Sequence, residues 1–527
     1  MDLKKQIGQL FVVGYQGTEP TREFLDFVHE WGIGGIIVFV RNIDDPANLP
    51  GVIRRISEAS GQTLFTSIDQ EGGLVLRILR GGSLFPSAMG LAATNQPELV
   101  EKVATAIGRE MRALDLNWNL APVLDINHAH NPGIGARSFG ETPDQVTRFG
   151  IPYLRGLQAG GVLACAKHFP GKGHAQVDSH LSLPTIPFDR DRLRRFELAP
   201  FRAAIEAGVG AIMTAHVFFP AFEETPNLPA TLSRRVLTDL LRQELGFKGL
   251  LITDDLEMGA ITEAYGVPDA ARRSFLAGAD LLLICHDLAR ERQAAETILA
   301  EVTANPEARR RLSESLERIA RARATLATTG SRATLPDLER SHRSLIAEAS
   351  AKAILAGRMP PGVLPIPRNA PLLAFCPRIA SLVQVEETHQ GDGFLATVQE
   401  RFPQARGALF DPKGTGDALA AEYDRLAASL PADAPMVIFT YNAHLFPGQV
   451  DGVRRLLARR RNSIVVAVRN PYDLGLFPEA KGTLATFGFR SPAIGAALDA
   501  LEGKAVPSNG PWPVSLEFAG HGQQPSV

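Results

Sequence analysis

The sequence predicts an α/β protein in which a (β/α)8 TIM-type barrel is followed by a second, smaller α/β domain. Its 527 residues correspond to two or three domains at roughly 150 residues each. In the first part of the chain, short Val/Ile/Leu-rich runs alternate with longer amphipathic stretches, as a parallel sheet with crossover helices requires. A polar segment and then a Pro/Gly-rich segment interrupt this alternation, which resumes beyond them.

Eight apolar runs are the predicted strands of the barrel. They lie near Leu10–Val13, Gly35–Val40, Thr63–Ile68, Asn117–Leu124, Val162–Ala166, Ala211–Thr214, Leu250–Thr253 and Asp280–Ile284. Amphipathic patterns between them predict helices, for example Pro97–Leu114, Arg190–Ala207 and Ser233–Glu244, the last with Ser233 as its N-cap. Eight βα units in about 300 residues favour a (β/α)8 barrel, although a long doubly wound sheet would give a similar pattern.

The chain is predicted to divide beyond its middle. The expected parts are a barrel domain at 1–330, a linker at 331–365, a C-terminal α/β domain at 366–518 and a flexible tail at 519–527. The linker is inferred from the polar stretch Thr328–Glu339 and the Pro/Gly-rich stretch Arg358–Pro371. Strand-like runs recur after it at Leu372–Phe375, Met436–Tyr441 and Ile464–Val468.

The composition is that of an ordinary globular protein. Lys and Arg number 55 and Asp and Glu 57, which gives a net charge of −2, and 45% of the residues are apolar. These values exclude a disordered chain, a collagen-like chain and a basic nucleic-acid-binding protein. The apolar runs are also too short for the roughly 20 residues that span a bilayer. We therefore expect no nucleic-acid partner and no membrane partner.

The cysteines and the first residues indicate the compartment. Cys165, Cys285 and Cys376 are odd in number and far apart, which argues against a disulfide framework and a cysteine-based zinc site. The charged N-terminus could begin a signal peptide, but Gln6 and Gly14 interrupt the next stretch and no small-x-small cleavage site follows. The sequence therefore predicts a cytoplasmic protein.

Polar residues follow five of the predicted strands at the point where each strand ends. These endings are Asp69-Gln70-Glu71-Gly72-Gly73, Asp125-Ile126-Asn127-His128, Lys167-His168-Phe169-Pro170-Gly171, Ala215-His216 and Asp254-Asp255. One such residue is usually a cap or a turn former. Since the catalytic residues of (β/α)8 barrels cluster at the carboxyl ends of the strands, five polar endings on one rim predict an active site there.

The loop that follows the fifth strand is the most informative segment. Its glycines allow close approach to a ligand, and Asp178 lies two residues before His180. In a sharp turn the carboxylate would fix the tautomer of the imidazole and raise its pKa, as a general acid/base requires. A lone Asp-x-His pair would be explained by the turn alone, but this pair shares its loop with Lys167 and His168.

Several motifs together resemble a known family. They are the K-H-F-P-G-x-G…D-S-H loop at Lys167–His180, I-D-Q-E-G-G at Ile68–Gly73, A-R-S-F-G at Ala136–Gly140, T-D-D-L-x-M-G-A at Thr253–Ala260, and the opening Ile7–Leu10 and Gly14–Gly17. In this combination and order they resemble the bacterial β-N-acetylglucosaminidases of glycoside hydrolase family 3. Arg469–Leu474 is similar, more weakly, to a stretch of that family's C-terminal α/β sandwich domain.

The resemblance implies a retaining hydrolase that removes the non-reducing terminal GlcNAc by double displacement. It assigns the nucleophile to Asp254 and the acid/base to His180, which Asp178 would orient. The neighbouring Asp255 would project away from the sugar and bind the backbone of the next turn. The pH optimum should then follow an imidazole pKa. The family's cytoplasmic members further imply a role in peptidoglycan (muropeptide) recycling.

The resemblance also assigns the positions that bind the sugar. Asp69 would accept hydrogen bonds from sugar hydroxyls, and basic donors would line the same subsite. The remaining candidates are Arg77, Arg137, Lys167, His168 and, on the same rim, His216, with Asp125 as a supporting residue. No cofactor and no metal are implied. The loop departs from the family pattern at Lys172, where a second histidine is common, and Thr253 replaces a common serine.

Four other interpretations start from the same residues. A metal-dependent barrel hydrolase could use Asp125, His128, His130, Asp178, His180 and His216, although the His128-x-His130 pair is typical of a solvated loop. A phosphorylase of the same family could intercept the covalent intermediate with phosphate. A β-glucosidase is disfavoured by the D-S-H loop, and an inactive carbohydrate-binding protein by the joint presence of Asp254, Asp178 and His180. The aglycone, the role of the second domain and the oligomeric state stay open.

Overall fold

The computed structural model describes residues 2–179, 181–326, 333–379, 386 and 393–516. It contains an eight-stranded parallel sheet followed by a six-stranded mixed sheet. The predicted α/β class, a barrel followed by a second α/β domain, is confirmed.

The first sheet forms the barrel. Its strands are β1 (Phe11–Val13), β2 (Gly35–Val38), β3 (Phe65–Ile68), β4 (Trp118–Asn119), β5 (Leu163–Phe169), β6 (Ala211–Thr214), β7 (Leu250–Ile252) and β8 (Leu282–Ile284). Hydrogen-bonded neighbours run in the order β7-β6-β5-β4-β3-β2-β1-β8. The backbone carbonyl of Leu251 accepts hydrogen bonds from the amides of Asp280 and Leu281 at 2.8 and 3.0 Å, and these bonds bring β7 and β8 together.

Two barrel strands differ in length from their predictions. β4 is shorter than the predicted Asn117–Leu124, because Pro122 has no amide hydrogen to donate to a sheet ladder. β5 is longer than the predicted Val162–Ala166 and extends to Phe169. Lys167 and His168 therefore lie inside a buried strand, not in the loop after it, which gives their side chains fixed directions at the rim.

Helices connect the barrel strands. They span Leu3–Gly8, Arg22–Trp31, Leu49–Ser60, Ala88–Ala93, Pro97–Ala113, Pro143–Ala159, Arg190–Arg195, Ala199–Glu206, Arg235–Glu244, Gly259–Thr262, Val267–Ala277, Leu288–Ala304 and Pro306–Thr325. The predicted helix Arg190–Ala207 is two helices, since Pro200 lies in the first turn of the second one, where a missing amide hydrogen is tolerated. Ser233 Oγ accepts from the Val236 amide at 3.2 Å, in agreement with its predicted capping role.

The second sheet is mostly parallel. Its strands are β9 (Leu355–Arg358), β10 (Leu372–Pro377), β11 (Ala405–Phe410), β12 (Met436–Thr440), β13 (Ser463–Ala467) and β14 (Gly482–Ala485), in the order β11-β10-β12-β13-β14-β9. Only β9 runs antiparallel to its neighbour in this sheet. The helices of this part are Leu335–Lys352, Gly393–Arg401, Gly416–Ala427, Pro447–Arg459 and Ser491–Leu501.

The range 331–365, which the sequence predicts to be a linker, contains regular structure. Its described part holds the helix Leu335–Lys352 and the strand β9. β9 pairs with β14 at the edge of the second sheet, so residues from this range complete that sheet. The predicted tail 519–527 lies outside the described residues.

The two sheets share a packed boundary. Barrel residues from the loops after β3 and β4, such as Leu74, Met89 and Ala136, are buried in one apolar cluster with residues of the second sheet. Ser87 Oγ also donates to the Phe487 carbonyl at 2.7 Å. The second domain is therefore fastened to the rim of the barrel where the predicted site residues lie. Among the residues described, none of the helices is long and apolar enough to cross a membrane.

A buried carboxylate lies beside the join of β7 and β8. Asp280, fully buried, accepts from Arg242, Arg311 and Arg318 at 2.6, 2.9 and 3.0 Å and from the Leu251 amide at 3.1 Å. Burial alone would raise the pKa of Asp280, but the three arginines outweigh it and lower that pKa. The barrel therefore closes around an ionised aspartate.

We predict that Asp280→Asn lowers the free energy of unfolding of the barrel by about 3–5 kcal/mol, because three partly buried cations lose their counter-charge. The matched control is Asp269→Asn, whose carboxylate pairs with Arg272 and Arg273 on an outer helix and should contribute less than about 1 kcal/mol. Urea unfolding followed by tryptophan fluorescence measures both. Equal losses in the two variants would contradict this account of barrel closure.

Candidate active site

A cavity of about 180 Å³ opens at the carboxyl ends of the barrel strands. The cavity is therefore small, below the roughly 300–1,000 Å³ of pockets for drug-sized ligands. Its polar lining consists of Asp69, Arg77, Arg137, Lys167, His168, Lys172, Asp254, Asp255, Glu257 and His286, and its apolar lining includes Phe39, Met213, Met258 and Leu283.

Asp69 anchors one wall of the cavity. It follows β3, and Lys167 Nζ on β5 donates to its Oδ1 at 2.7 Å. Arg77 Nη2 donates to its Oδ2 at 3.3 Å. Burial opposes ionisation of Asp69, but the attraction of Lys167 and then Arg77 lowers its pKa below the usual value. The cavity therefore presents an ionised carboxylate beside two cations, which is a set of acceptors and donors for neighbouring hydroxyls.

Glu71 joins this wall to the loop after β4. Arg137 binds it with two hydrogen bonds of 2.8 Å, from Nε and Nη2, and Lys167 Nζ lies 2.7 Å from its Oε1. Burial disfavours the charged form of each group, but the mutual attraction prevails. It lowers the pKa of Glu71 and raises the pKa values of Lys167 and Arg137. Lys167 is thus shared between Asp69 and Glu71.

Asp125 holds the imidazole of His168 in a fixed orientation. Its Oδ2 accepts from the His168 Nδ1 at 2.7 Å and from the His168 amide at 3.2 Å, and its Oδ1 accepts from the Lys172 amide at 2.6 Å. Complete burial raises the pKa of Asp125 against the opposing pull of Lys172. Because Nδ1 faces this carboxyl group, the other ring nitrogen of His168 points into the cavity.

Asp254 lies at the end of β7 and faces both His168 and Lys172. Its Oδ2 is 4.0 Å from His168 Nε2 and 3.6 Å from Lys172 Nζ. Its amide donates to Thr214 Oγ1 at 3.3 Å, and its side chain is 15% exposed. The Asp254 carboxyl group thus lies beside a lysine and a histidine, in the cavity that the hydroxyl-binding group Asp69 also lines. This is the arrangement that nucleophilic attack on a bound sugar needs.

Asp255 binds protein groups next to Asp254. Its Oδ1 accepts from the Glu257 amide at 3.1 Å, which agrees with its expected role of binding the next turn. The residue nevertheless lines the cavity, so it does not project away from the site as expected. Its Oδ2 lies 3.2 Å from His286 Nε2. That hydrogen bond raises the pKa of His286 above its usual value, against the effect of burial.

His216 does not fill its expected role as a sugar-binding residue. It is fully buried, and both of its ring nitrogens are bonded to protein groups. Nδ1 lies 2.8 Å from Thr231 Oγ1, and Nε2 lies 2.8 Å from the Asp255 carbonyl. Burial lowers the pKa of His216. A neutral ring donating from Nε2 supports the backbone at Asp255.

The predicted acid/base pair is described only in part, since His180 lies outside the described residues. Asp178 is half-buried and lines a small cavity beside the main one, together with Ser179. Arg137 and Lys172 line both cavities. Asp178 therefore lines a cavity adjacent to the one that Asp254 lines.

Comparison with known proteins decides the family. A model of the glycosyl hydrolase family 3 N terminal domain matches residues 2–322, which is more than half of the chain. The chain belongs to glycoside hydrolase family 3. The resemblance carried by its motifs is confirmed.

Similar family 3 proteins extend the comparison. β-Hexosaminidase A of Pseudoalteromonas piscicida is 35% identical over 377 residues, which are 66% of this chain and 63% of that protein. This chain thus spans less than two thirds of that relative. A β-hexosaminidase of Stenotrophomonas maltophilia (strain R551-3) is 36% identical over 283 residues, 53% of this chain and 83% of that protein.

A solved structure is similar over nearly the whole length. It is a glycoside hydrolase family 3 β-N-acetylglucosaminidase from Paenibacillus sp. str. FPU-7, with a TM-score of 0.88 and 35% sequence identity. The superposition covers 98% of this chain and 99% of that one. Both sheets of this family 3 protein are therefore included in the match.

Sequence reasoning missed several residues that line or build the family 3 site. Glu71 lies in the I-D-Q-E-G-G motif, but nothing in the sequence indicates that it pairs with Arg137, which lies on a different loop. Phe39 belongs to an apolar strand end that carries no polar signal. His286 lies two residues after the end of β8, and a polar residue near a strand end is a signal that the sequence offered. Within the described ranges, no group of three or more His, Cys, Asp or Glu side chains could hold a metal ion.

We predict that Asp255→Asn lowers the pKa of His286, because the replacement removes the negative charge that favours the imidazolium. In a histidine NMR titration, His286 of the unaltered protein should titrate above 6.5, whereas His128, whose pKa burial lowers to about 4, should stay neutral. His128 is the internal control and should not respond to Asp255→Asn. An unchanged His286 titration in the variant would contradict the assigned hydrogen bond.

Proposed function

We propose that this family 3 protein is a retaining, exo-acting β-N-acetylglucosaminidase that removes the non-reducing terminal GlcNAc of its substrate. The observation that carries the proposal is that Asp254 lines the same small cavity as Asp69 and its basic partners. The β-hexosaminidase relatives and the β-N-acetylglucosaminidase structure support the same substrate class.

Asp69, Arg77, Arg137, Lys167 and His168 would hold the terminal sugar. Ionised Asp69 accepts hydrogen bonds from hydroxyls, and the basic side chains donate to the remaining oxygens. Because the basic groups are buried and already paired with the carboxyl groups of Asp69, Glu71 or Asp125, they are fixed before the sugar arrives. Such preorganisation reduces the entropic cost of binding.

Asp254 would act as the nucleophile. Its carboxylate oxygen forms a bond to the anomeric carbon while the glycosidic C–O bond breaks, and the leaving oxygen takes a proton from His180. In the second step His180 removes a proton from water. The hydroxide oxygen then bonds to the anomeric carbon, and Asp254 departs as a carboxylate. Two inversions give net retention.

His180 and Asp178 are assigned from the sequence loop. An Asp-His pair would replace the second carboxylic acid of the usual two-carboxylate scheme. The half-buried Asp178 beside the main cavity is compatible with a partner that reaches the leaving oxygen from that side. Proton donation would then follow an imidazole pKa, near 6.5 before any perturbation.

The proposed natural substrate is a GlcNAc-containing oligosaccharide, with muropeptides as the expected source in peptidoglycan recycling. A cytoplasmic location is part of this proposal. It is supported by Cys165, Cys285 and Cys376, which are buried and carry free thiols, as in a reducing compartment.

One observation favours phosphorolysis as the second candidate. Lys172 places a cation 3.6 Å from Asp254, and a cation there would attract phosphate to the covalent intermediate. Product analysis separates the two reactions. Hydrolysis predicts free GlcNAc with and without added phosphate, whereas a sugar 1-phosphate as the main product would show that the chain is a phosphorylase.

We predict that Asp254→Ala and His180→Ala each lower turnover of p-nitrophenyl N-acetylglucosaminide by at least about 1,000-fold, as expected when a nucleophile or an acid/base is removed. Azide, which fits the space left by the carboxylate, should restore turnover in Asp254→Ala and yield the α-glycosyl azide. The matched control is Asp239→Ala at an exposed helix position, which should act like the unaltered enzyme. Wild-type activity in either active-site variant would contradict the assignments.

A further inference from the structure

We propose that Asn470 of the second domain is a positioning residue for Arg137, and that the second domain serves the active site through this contact. The inference rests on the proposed function, in which Arg137 helps to bind the terminal sugar. It assigns a role to a domain that contributes neither the nucleophile nor the acid/base.

The contact is a hydrogen bond to the backbone next to Arg137. Asn470 Oδ1 accepts from the Ala136 amide at 2.9 Å, and both residues are buried. The Arg137 side chain is held at its other end by Glu71 and donates from Nη1 to the Gly133 carbonyl at 3.1 Å. Asn470 therefore fixes the backbone from which Arg137 reaches into the cavity.

The loop is shaped around the Asn470 side chain. Gly135 has a φ of +51°, and a Cβ at this position would lie 2.4 Å from Asn470 Oδ1 and 2.7 Å from its Nδ2. A glycine is thus required here both by the left-handed backbone and by the closeness of the asparagine. The second domain occupies the space that a side chain of the loop would otherwise fill.

Neighbouring residues hold the same segment in place. The Asn470 amide donates to Asn442 Oδ1 at 3.2 Å, which ties it to the turn after β12. The hydroxyl of Tyr472 accepts from Asn127 Nδ2 at 2.6 Å and bonds to the carboxyl group of Glu141. The segment 470–472 therefore contacts the loop after β4 near its start, in its middle and near its end.

The loop after β4 also contacts the loop that carries Lys172. Asn131 Oδ1 accepts from the amides of Gly133 and Ile134 at 2.9 and 2.8 Å. Asn131 Nδ2 donates to the carbonyls of Lys172 and Gly173 at 2.9 and 3.0 Å. A shift of the loop after β4 would therefore also disturb the residues beside Asp254.

The test compares Asn470→Ala with Asn470→Asp in the full chain. The alanine variant leaves the buried Ala136 amide without its acceptor, so KM for p-nitrophenyl N-acetylglucosaminide should rise roughly 5- to 30-fold while kcat changes less than about threefold, as expected when binding rather than chemistry is weakened. Asn470→Asp retains an acceptor oxygen and should stay within about threefold of the wild-type KM. The matched control is Asn462→Ala, a partly exposed asparagine of the same domain that lies outside the contact with the barrel loop, and it should leave both constants unchanged.

Hydrogen exchange gives a readout that does not depend on activity. In Asn470→Ala the amides of residues 133–141 should exchange faster than in the wild type, whereas in Asn462→Ala they should not. If wild-type protein fails to turn over the N-acetylglucosaminide, the proposed function fails, and the exchange measurement still decides the present inference. Wild-type KM together with unchanged exchange in Asn470→Ala would overturn it.

Gly135→Ala tests the contact from the barrel side, also in case Asn470→Ala does not fold. Its Cβ would push Asn470 away, so it should raise KM in the same way. The matched control is Gly61→Ala, which has a similar positive φ of +68° but open space around it and should raise KM less than twofold. Equal effects of the two glycine replacements would overturn the proposal.

Discussion

The site depends on a set of opposite charges buried together at the carboxyl end of the barrel. Removing carboxylates and cations from water costs several kcal/mol per ion, and the cost is recovered only when their partners are close and well oriented. Asp69 and Glu71 share Lys167 between them, while Arg77 and Arg137 complete the pairing. Each of these residues comes from the end of a strand or the loop after it, so the pairing requires the correct closure of the barrel.

This constraint explains how the other parts of the site are arranged. Asp125 fixes His168 on the same strand that carries Lys167, and His168 with Lys172 then lies beside Asp254. Arg137 lies on the long loop after β4, and this loop is held by residues outside the barrel. Asn470 and Tyr472 of the second domain contact this loop. Through these contacts the second domain helps to hold Arg137 in its position in the network.

Much of this arrangement could be predicted from the sequence. The alternation of apolar runs and amphipathic stretches was sufficient for the barrel. The family resemblance assigned catalytic or sugar-binding roles to six residues that line the cavity, among them Asp69, Arg137 and Asp254. The length of β5 was not predictable in the same way, because Lys167 and His168 are polar residues inside a buried strand. The sequence also does not show which way the side chain of a polar rim residue points. The imidazole of His216 bonds to the carbonyl of Asp255. Pairings such as Glu71 with Arg137 and Ala136 with Asn470 join distant parts of the chain, and they follow from the tertiary fold alone.

The central claim is that Asp254 becomes covalently attached to the sugar. Mass spectrometry tests it most directly after incubation with a 5-fluoro-N-acetylglucosaminyl fluoride, whose ring fluorine slows both steps while the good leaving group keeps the first step faster than the second. The account predicts that one sugar is attached to the enzyme and that, after proteolysis, it is found on Asp254. Attachment to another residue, or continued turnover of ordinary substrate by fully treated enzyme that carries no label, would contradict it.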